Sequence, residues 1–158
     1  MGDFSHLDET GKASMVDVTP KSITKRQARV VGYVNVSTKC CESLNSSAIT
    51  EIIHTARIAG IFATKKTSEL IPLCHQLNLT KAQIDIEFAK GSKQFVISCT
   101  TKVNGNTGVE MESFTGAQIA ALTIYDMIKA INPQASIGPF TLIEKTGGKS
   151  NLWKNKNV

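Results

Sequence analysis

Gln27-Ala28-Arg29-Val30-Val31-Gly32-Tyr33-Val34-Asn35-Val36-Ser37 is the stretch that decides the fold. Val30, Gly32, Val34 and Val36 fall on one side of an extended chain and Arg29, Val31, Tyr33 and Asn35 on the other, a period of two that belongs to a strand. From Ser47 the period changes. Ile49, Ile52, Ile53, Ala56, Ala59 and Ala63 follow steps of three and four, which predicts a helix capped by Ser46 or Ser47 and running to about Thr67. Pro72 then stops regular structure and leaves Leu73-Cys74-His75-Gln76 in a loop or at a strand entry.

Farther along, residues 82–89 and 94–103 are short alternating runs around Ile84, Ile86 and Phe88, then Phe95, Ile97 and Cys99. The link Ala89-Lys90-Gly91-Ser92-Lys93 reads as the turn of a hairpin. A second helix is expected over 112–131, with apolar positions Phe114, Ala117, Ala121, Leu122, Tyr125 and Ile128, ending before Asn132-Pro133. A last strand at 136–145 completes a β-α-β-β-α-β order, after a short N-terminal strand around Met15 to Val18. The expected class is α+β, the ferredoxin-like βαββαβ plan, with two helices on one face of an antiparallel sheet. The other face then needs cover, and an oligomer is the expected cover.

At 158 residues, 41% of them hydrophobic, the chain can bury one core, so 1–158 reads as a single domain. Residues 1–14 and 150–158 are polar and read as weakly held ends. The net charge of +5 favours an anionic partner, whether nucleic acid, nucleotide or pyrophosphate. No signal peptide and no run of the roughly 18 apolar residues of a membrane helix is visible, which points to the cytoplasm. Cys40, Cys41, Cys74 and Cys99 match neither a zinc pattern nor a dense disulfide framework and are expected reduced.

Several groups could carry chemistry. Asp126 and Lys129 lie three apart on the second helix and project to the same side, as an acid or base beside a tuning cation or as a plain surface ion pair. His75, in an apolar stretch, is either a donor to phosphate, a general acid or a structural histidine. Glu110 and Glu112 enter the second helix, where carboxylates also simply favour the positive end of the dipole. On a continuous helix Glu112 and Asp126 lie about 21 Å apart. A single small substrate could hardly span that distance in one subunit, which favours a site assembled across an interface. Lys65 and Lys66 could bind phosphate or complement the first helix's C-terminus. Gly147-Gly148-Lys149-Ser150 fails the Walker pattern because Ile143 stands where glycine is required, though phosphate binding at this strand end stays open.

Taken together, Met15-Val16-Asp17-Val18, Ala56-Arg57-Ile58-Ala59-Gly60-Ile61, Leu70-Ile71-Pro72-Leu73-Cys74-His75, Thr107-Gly108-Val109-Glu110-Met111-Glu112, Leu122-Thr123-Ile124-Tyr125-Asp126-Met127 and Gly147-Gly148-Lys149-Ser150 closely resemble the molybdenum cofactor biosynthesis protein C family, in that family's order. The resemblance implies the ferredoxin-like fold, a hexamer built as a trimer of dimers and an active site between subunits. It implies a lyase that converts a cyclised dihydro-GTP to cyclic pyranopterin monophosphate plus diphosphate, with no required cofactor and no protein-bound metal, magnesium at most accompanying the substrate's phosphates. By motif, Asp126 matches the catalytic aspartate and Lys129 its companion. Leu73, Cys74, His75, Met111 and Glu112 match substrate-contacting positions, with Glu110 and Lys65 beside the same site. One departure matters. The family's catalytic lysine, eight residues before Arg57, is Ile49 here, so Lys39 or another cation substitutes, or turnover is impaired. Gln76, where proline is frequent, and Asn151, where glycine is usual, leave the chemistry alone.

Two alternatives stand beside this reading. A basic nucleic-acid-binding module on the same fold would need exposed aromatics on its central strands, where Phe88 and Phe95 are as readily core. A silent relative would bind the pterin precursor without turnover.

Overall fold

In the computed structural model, which describes residues 4–148 and 151–156, strand β1 (Thr24–Asn35) leads to a short helix α1 (Thr38–Ser43), a long helix α2 (Ser46–Thr64) and a single turn α3 (Thr67–Leu70). Strands β2 (Leu79–Ala89) and β3 (Gln94–Gly105) follow, then helix α4 (Glu110–Ile128), β4 (Ser136–Thr146) and β5 (Leu152–Lys154). The strands pair antiparallel in one sheet of order β2-β3-β1-β4-β5. With β5 set aside, that order is the expected βαββαβ plan.

Strand β1 is central, bonded to β3 on one side and β4 on the other. Its Ala28, Val30 and Val34 are fully buried beneath the helices, while Arg29, Val31, Tyr33 and Asn35 are half-buried on the open face. That is the alternation its sequence requires. Lys93, at φ 54° in the left-handed region, reverses the chain between β2 and β3. Phe88 then faces Phe95 across the hairpin with ring centroids 4.6 Å apart. Facing them, α2 contributes Ile52 and Ala56, and α4 contributes Ala117, Ala120, Ala121, Ile124 and Ile128.

The two long helices run antiparallel and nearly touch at a pair of glycines. A Cβ on Gly60 would lie 2.7 Å from the Gly116 carbonyl oxygen, and one on Gly116 2.6 Å from Thr64 Cγ2 and 2.8 Å from Cys99 Sγ. This crossing corrects the expected apolar stripe of α4. Small residues line the contact, Ala120 and Ile124 are buried, and Leu122 is turned out to solvent at 52% exposure.

The ends of the elements differ from expectation for local reasons. Asn45 caps α2 in place of Ser46 or Ser47, its side chain accepting from the Ala48 N–H at 2.8 Å. The helix stops at Thr64, and residues 67–70 form the separate turn α3. Helix α4 begins at Glu110 and ends at Ile128, shifted toward its N-terminus relative to the expected 112–131. Met15 to Val18 forms no strand. The N-terminal segment instead closes through an isolated Leu7–Ala13 bridge. Leu152–Lys154, expected as part of a weakly held end, pairs with β4, Trp153 opposite Lys145. Lys149 and Ser150 of the Gly-Gly-Lys-Ser run lie outside the described residues.

The close contact at Gly60 can be tested by filling it. Gly60→Ala gains about 1 kcal/mol of helix propensity but forces the crossing apart, and should destabilise the fold by about 1–2 kcal/mol net. Gly91→Ala, with nothing within 4 Å of its added carbon, should be neutral. Denaturant midpoints of the two variants decide it, and equal midpoints would refute the crossing as a tight constraint.

Candidate functional site

The N-terminus of α4 is fixed from below by buried hydroxyls. Thr101 on β3 and Ser113 on α4 lie with their oxygens 2.7 Å apart. Thr101 Oγ1 also reaches the Val109 carbonyl and Ser113 Oγ the Ala28 carbonyl, each at 3.0 Å. The first turn of α4, with Glu110, Met111 and Glu112, is thereby tied to both central strands. The loop after α3 brings Leu73, Cys74 and His75 to the same place. These three, with Glu110, Met111, Glu112 and His6 from the N-terminal segment, surround a hollow of about 130 Å³.

Two opposing effects act on Glu112. A helix N-terminus favours a carboxylate, but the side chain is 4% exposed. Burial wins and, with the Glu110 charge added, raises its pKa to about 7. Burial and the Glu112 charge also hold the Cys74 thiol above its ordinary range, so it stays protonated near neutrality. On the far side, the hydrogen bonds of Thr19 and, more weakly, the His75 charge lower the pKa of Asp17. The hollow therefore joins a carboxyl poised to exchange a proton near pH 7 to an imidazole and a neutral thiol.

A cleft of about 790 Å³ opens beside it and shares Thr107, Gly108 and Glu110 with the hollow. Among the described residues, its cations are Lys21, Arg26 and Lys145. Lys145 Nζ donates to Glu110 Oε1 at 2.8 Å. The carboxylate can fold back because residue 108 is glycine, where a Cβ would stand 1.9 Å from Glu110 Oε2. The Arg26 guanidinium donates to the Gly105 and Asn106 carbonyls and holds the turn before α4. Thr24 also lines the cleft, and its Oγ1 is buried without a hydrogen-bond partner among the described residues. On the other side of Glu112, a cavity of about 500 Å³ is lined by Lys65, Lys81 and Gln76, among others. Lys65 closes the C-terminus of α2, whereas Lys66 is occupied by Glu69 at 2.7 Å.

Thus Leu73, Cys74, His75, Glu110, Met111 and Glu112 come together, and Lys65 lies across Glu112 from them. Asp126 and Lys129 do not join them within the chain. They sit at the opposite end of α4, Lys129 Nζ 2.5 Å from Asp126 Oδ1, both more than half exposed. The carboxylate raises the Lys129 ammonium pKa, by hydrogen bond first and by charge second. Lys21, Arg26, Lys145 and His6 were not singled out from the sequence. The basic run at 21–26 was the available signal for two of them. Nothing local marks Lys145 or His6. Among the described residues, no group of three or more His, Cys, Asp or Glu side chains is placed to hold a metal ion, and no helix is long and apolar enough to cross a membrane.

Compared with known proteins, residues 15–148 match the model of the MoaC family. The chain belongs to the MoaC family. Membership makes it one of the enzymes of molybdenum cofactor biosynthesis, acting on a small-molecule pterin precursor. The matched span contains both ends of α4 and every site residue named above except His6. Among solved structures, the MoaC-family chain resembles a de novo designed protein with a ferredoxin fold, LFR1 1, at 10% identity and a TM-score of 0.40, over 73% of this chain and 83% of that one. A likeness at that level bears on neither site nor function.

Glu112 also predicts a pH dependence of stability. Its folded pKa lies above its unfolded value near 4.5, so the protonated form stabilises the fold fully below about pH 4.5, and this is lost as pH rises through about 7. Glu112→Gln should flatten that loss and raise stability at pH 8.5 by about 2 kcal/mol relative to the parent, with little change at pH 4.5. Urea unfolding at both pH values checks this, and parallel pH profiles for the two proteins would refute the buried-carboxyl account.

Proposed function

We propose that this MoaC-family chain is a cyclic pyranopterin monophosphate synthase. It converts the cyclised dihydro-GTP to cyclic pyranopterin monophosphate and releases diphosphate, a lyase reaction. The observation that carries the reading is the adjacency of two unlike surfaces. The hollow at Leu73, Cys74, His75, Met111 and Glu112 suits a flat heterocycle that must gain and lose protons. The cleft with Lys21, Arg26 and Lys145 suits a triphosphate. Glu110 lies on both and links them through Lys145.

In this reading Met111 and Leu73 pack the ring, while His75 and Glu112 exchange protons at it. Lys65 and the cleft cations take the charge that develops as the bond to diphosphate breaks. Asp126 is the catalytic aspartate and Lys129 its partner. Because α4 holds them far from Glu112, they serve the site of a neighbouring chain, and a hexamer built as a trimer of dimers provides that neighbour. Exposed Ile58 and Phe62 on α2 and the uncovered sheet face are surfaces such an assembly would bury. Lys39 is the proposed substitute for the family lysine that is Ile49 here. The Ser37 N–H, two residues before Lys39, donates to Asn132 Oδ1 at 2.6 Å, which draws α1 against the end of α4 that carries Asp126 and Lys129. Magnesium enters only with the substrate's phosphates, and the reaction belongs to the cytoplasm. The nucleic-acid reading loses its platform, since Phe88 and Phe95 pack toward the helices.

Mixing the purified protein with cyclised dihydro-GTP and assaying diphosphate and cyclic pyranopterin monophosphate together tests the proposal. Both products should appear in equal amounts. Asp126→Asn should lower turnover by about 100-fold or more with the circular dichroism spectrum and assembly size unchanged. Tight binding without product would leave a silent relative instead.

A further inference from the structure

We propose that the N-terminal segment from Phe4 to Ile23 is a built strap that forms a wall of both the hollow and the cleft, and that it delivers His6 as a substrate-contacting residue. The inference rests on the synthase reading of the same site and adds a residue and an element to it.

The segment has the composition of a loose end, yet its first part is a closed local structure. The Asp8 carboxylate accepts from the Thr10 N–H at 2.8 Å, the Thr10 hydroxyl at 2.7 Å and the Lys12 N–H at 2.9 Å. The Asp8 N–H donates to the Lys12 carbonyl at 2.8 Å, and the Ser14 N–H to the His6 carbonyl at 2.9 Å. Gly11, at φ 79°, occupies the left-handed position that the reversal needs. These bonds set where His6 emerges. His6 lines the same hollow as Cys74, His75 and Glu112.

The strap then continues past Asp17, close enough to His75 for the imidazole to lower its pKa. It is pinned by the Asn106 side-chain N–H donating to the Val18 carbonyl at 3.0 Å, and ends with Pro20, Lys21 and Ser22 on the cleft. One continuous segment thus touches both places where the proposed substrate would lie. Apart from these contacts it is lightly held, with Phe4 80% exposed and Leu7 47%. Such an element is rigid within itself and weakly docked, so it can swing as one piece and close over a bound ligand. An imidazole so placed donates an N–H to a ring carbonyl or phosphate oxygen that the rest of the hollow leaves open on that side.

Two substitutions separate the parts of the claim. His6→Ala removes the contacting group and leaves the turn. Asp8→Ala leaves His6 and removes the acceptor of three bonds. Steady-state rates with cyclised dihydro-GTP, calorimetric binding of GTP as an unreactive probe, and the thermal midpoint are measured for each full-length variant. His6→Ala should lower kcat/KM by about tenfold, chiefly through KM, and weaken GTP binding alike, at an unchanged midpoint. Asp8→Ala should do the same to a smaller extent, and GTP should slow tryptic cleavage after Lys12 in the parent but not in Asp8→Ala. Values within twofold of the parent for both variants would overturn the strap. A parent that binds GTP but does not turn over cyclised dihydro-GTP would sink the synthase reading alone, because weaker GTP binding by His6→Ala would still support the strap and equal binding would still remove it.

Discussion

The close approach of α2 and α4 at Gly60 and Gly116 is the constraint from which the rest of the molecule follows. Neither glycine has room for another carbon, Gly60 because of a carbonyl and Gly116 because of Thr64 and Cys99. The contact therefore sets the distance between the helices and also seats them on β3. Only small side chains can follow it along α4, which is why Ala117, Ala120 and Ala121 fill the core there and Leu122 points outward. A shorter helix separation brings the C-terminus of α2, with Lys65, beside the N-terminus of α4, with Glu112. The cavity between them is a consequence of the crossing.

From that geometry comes the division of the site. A straight helix fixed at its N-terminus by Thr101 and Ser113 must carry its last turn to the other end of the fold. Glu112 is buried, and desolvation raises its pKa. Asp126 is exposed and paired with Lys129. The same element thus presents a proton-exchanging carboxyl in a pocket and a charged pair in open solvent. The first has the surroundings of a working group already. The second has the surroundings of a surface ion pair, and exposed pairs of this kind contribute little to stability on their own.

How much of this could be read from residues alone depends on whether the signal is local. The alternation at Val30, Gly32 and Val34 and the hairpin at 89–94 reflect a period of two that survives in any context, so the main strands and their order along the chain were legible. Helix limits were less so, because Asn45 competes with two adjacent serines for one cap and the Asn45 side chain takes it. The short β5 carries no alternation to detect; its three residues are ordered by the free edge of β4. In the site, the contiguous runs at 73–75 and 110–112 could be named in advance. Lys145 and His6 could not, since Lys145 matters only through a bond across 35 residues to Glu110 and His6 only through a turn closed by Asp8. The separation of Asp126 from Glu112 within one chain was inferable because helical rise is a fixed length.

The central claim is that one chain's Glu112 hollow works with another chain's Asp126 and Lys129. Chains carrying Glu112→Gln and chains carrying Asp126→Asn, each expected to be inactive alone, can be co-expressed with different tags and purified as a mixed assembly. If the site is shared, random mixing should place intact partners together in roughly a quarter of the sites of a symmetric oligomer, and cyclic pyranopterin monophosphate should form at a corresponding fraction of the parent rate. A mixed assembly as inactive as either parent would contradict the account and confine catalysis to groups within a single chain.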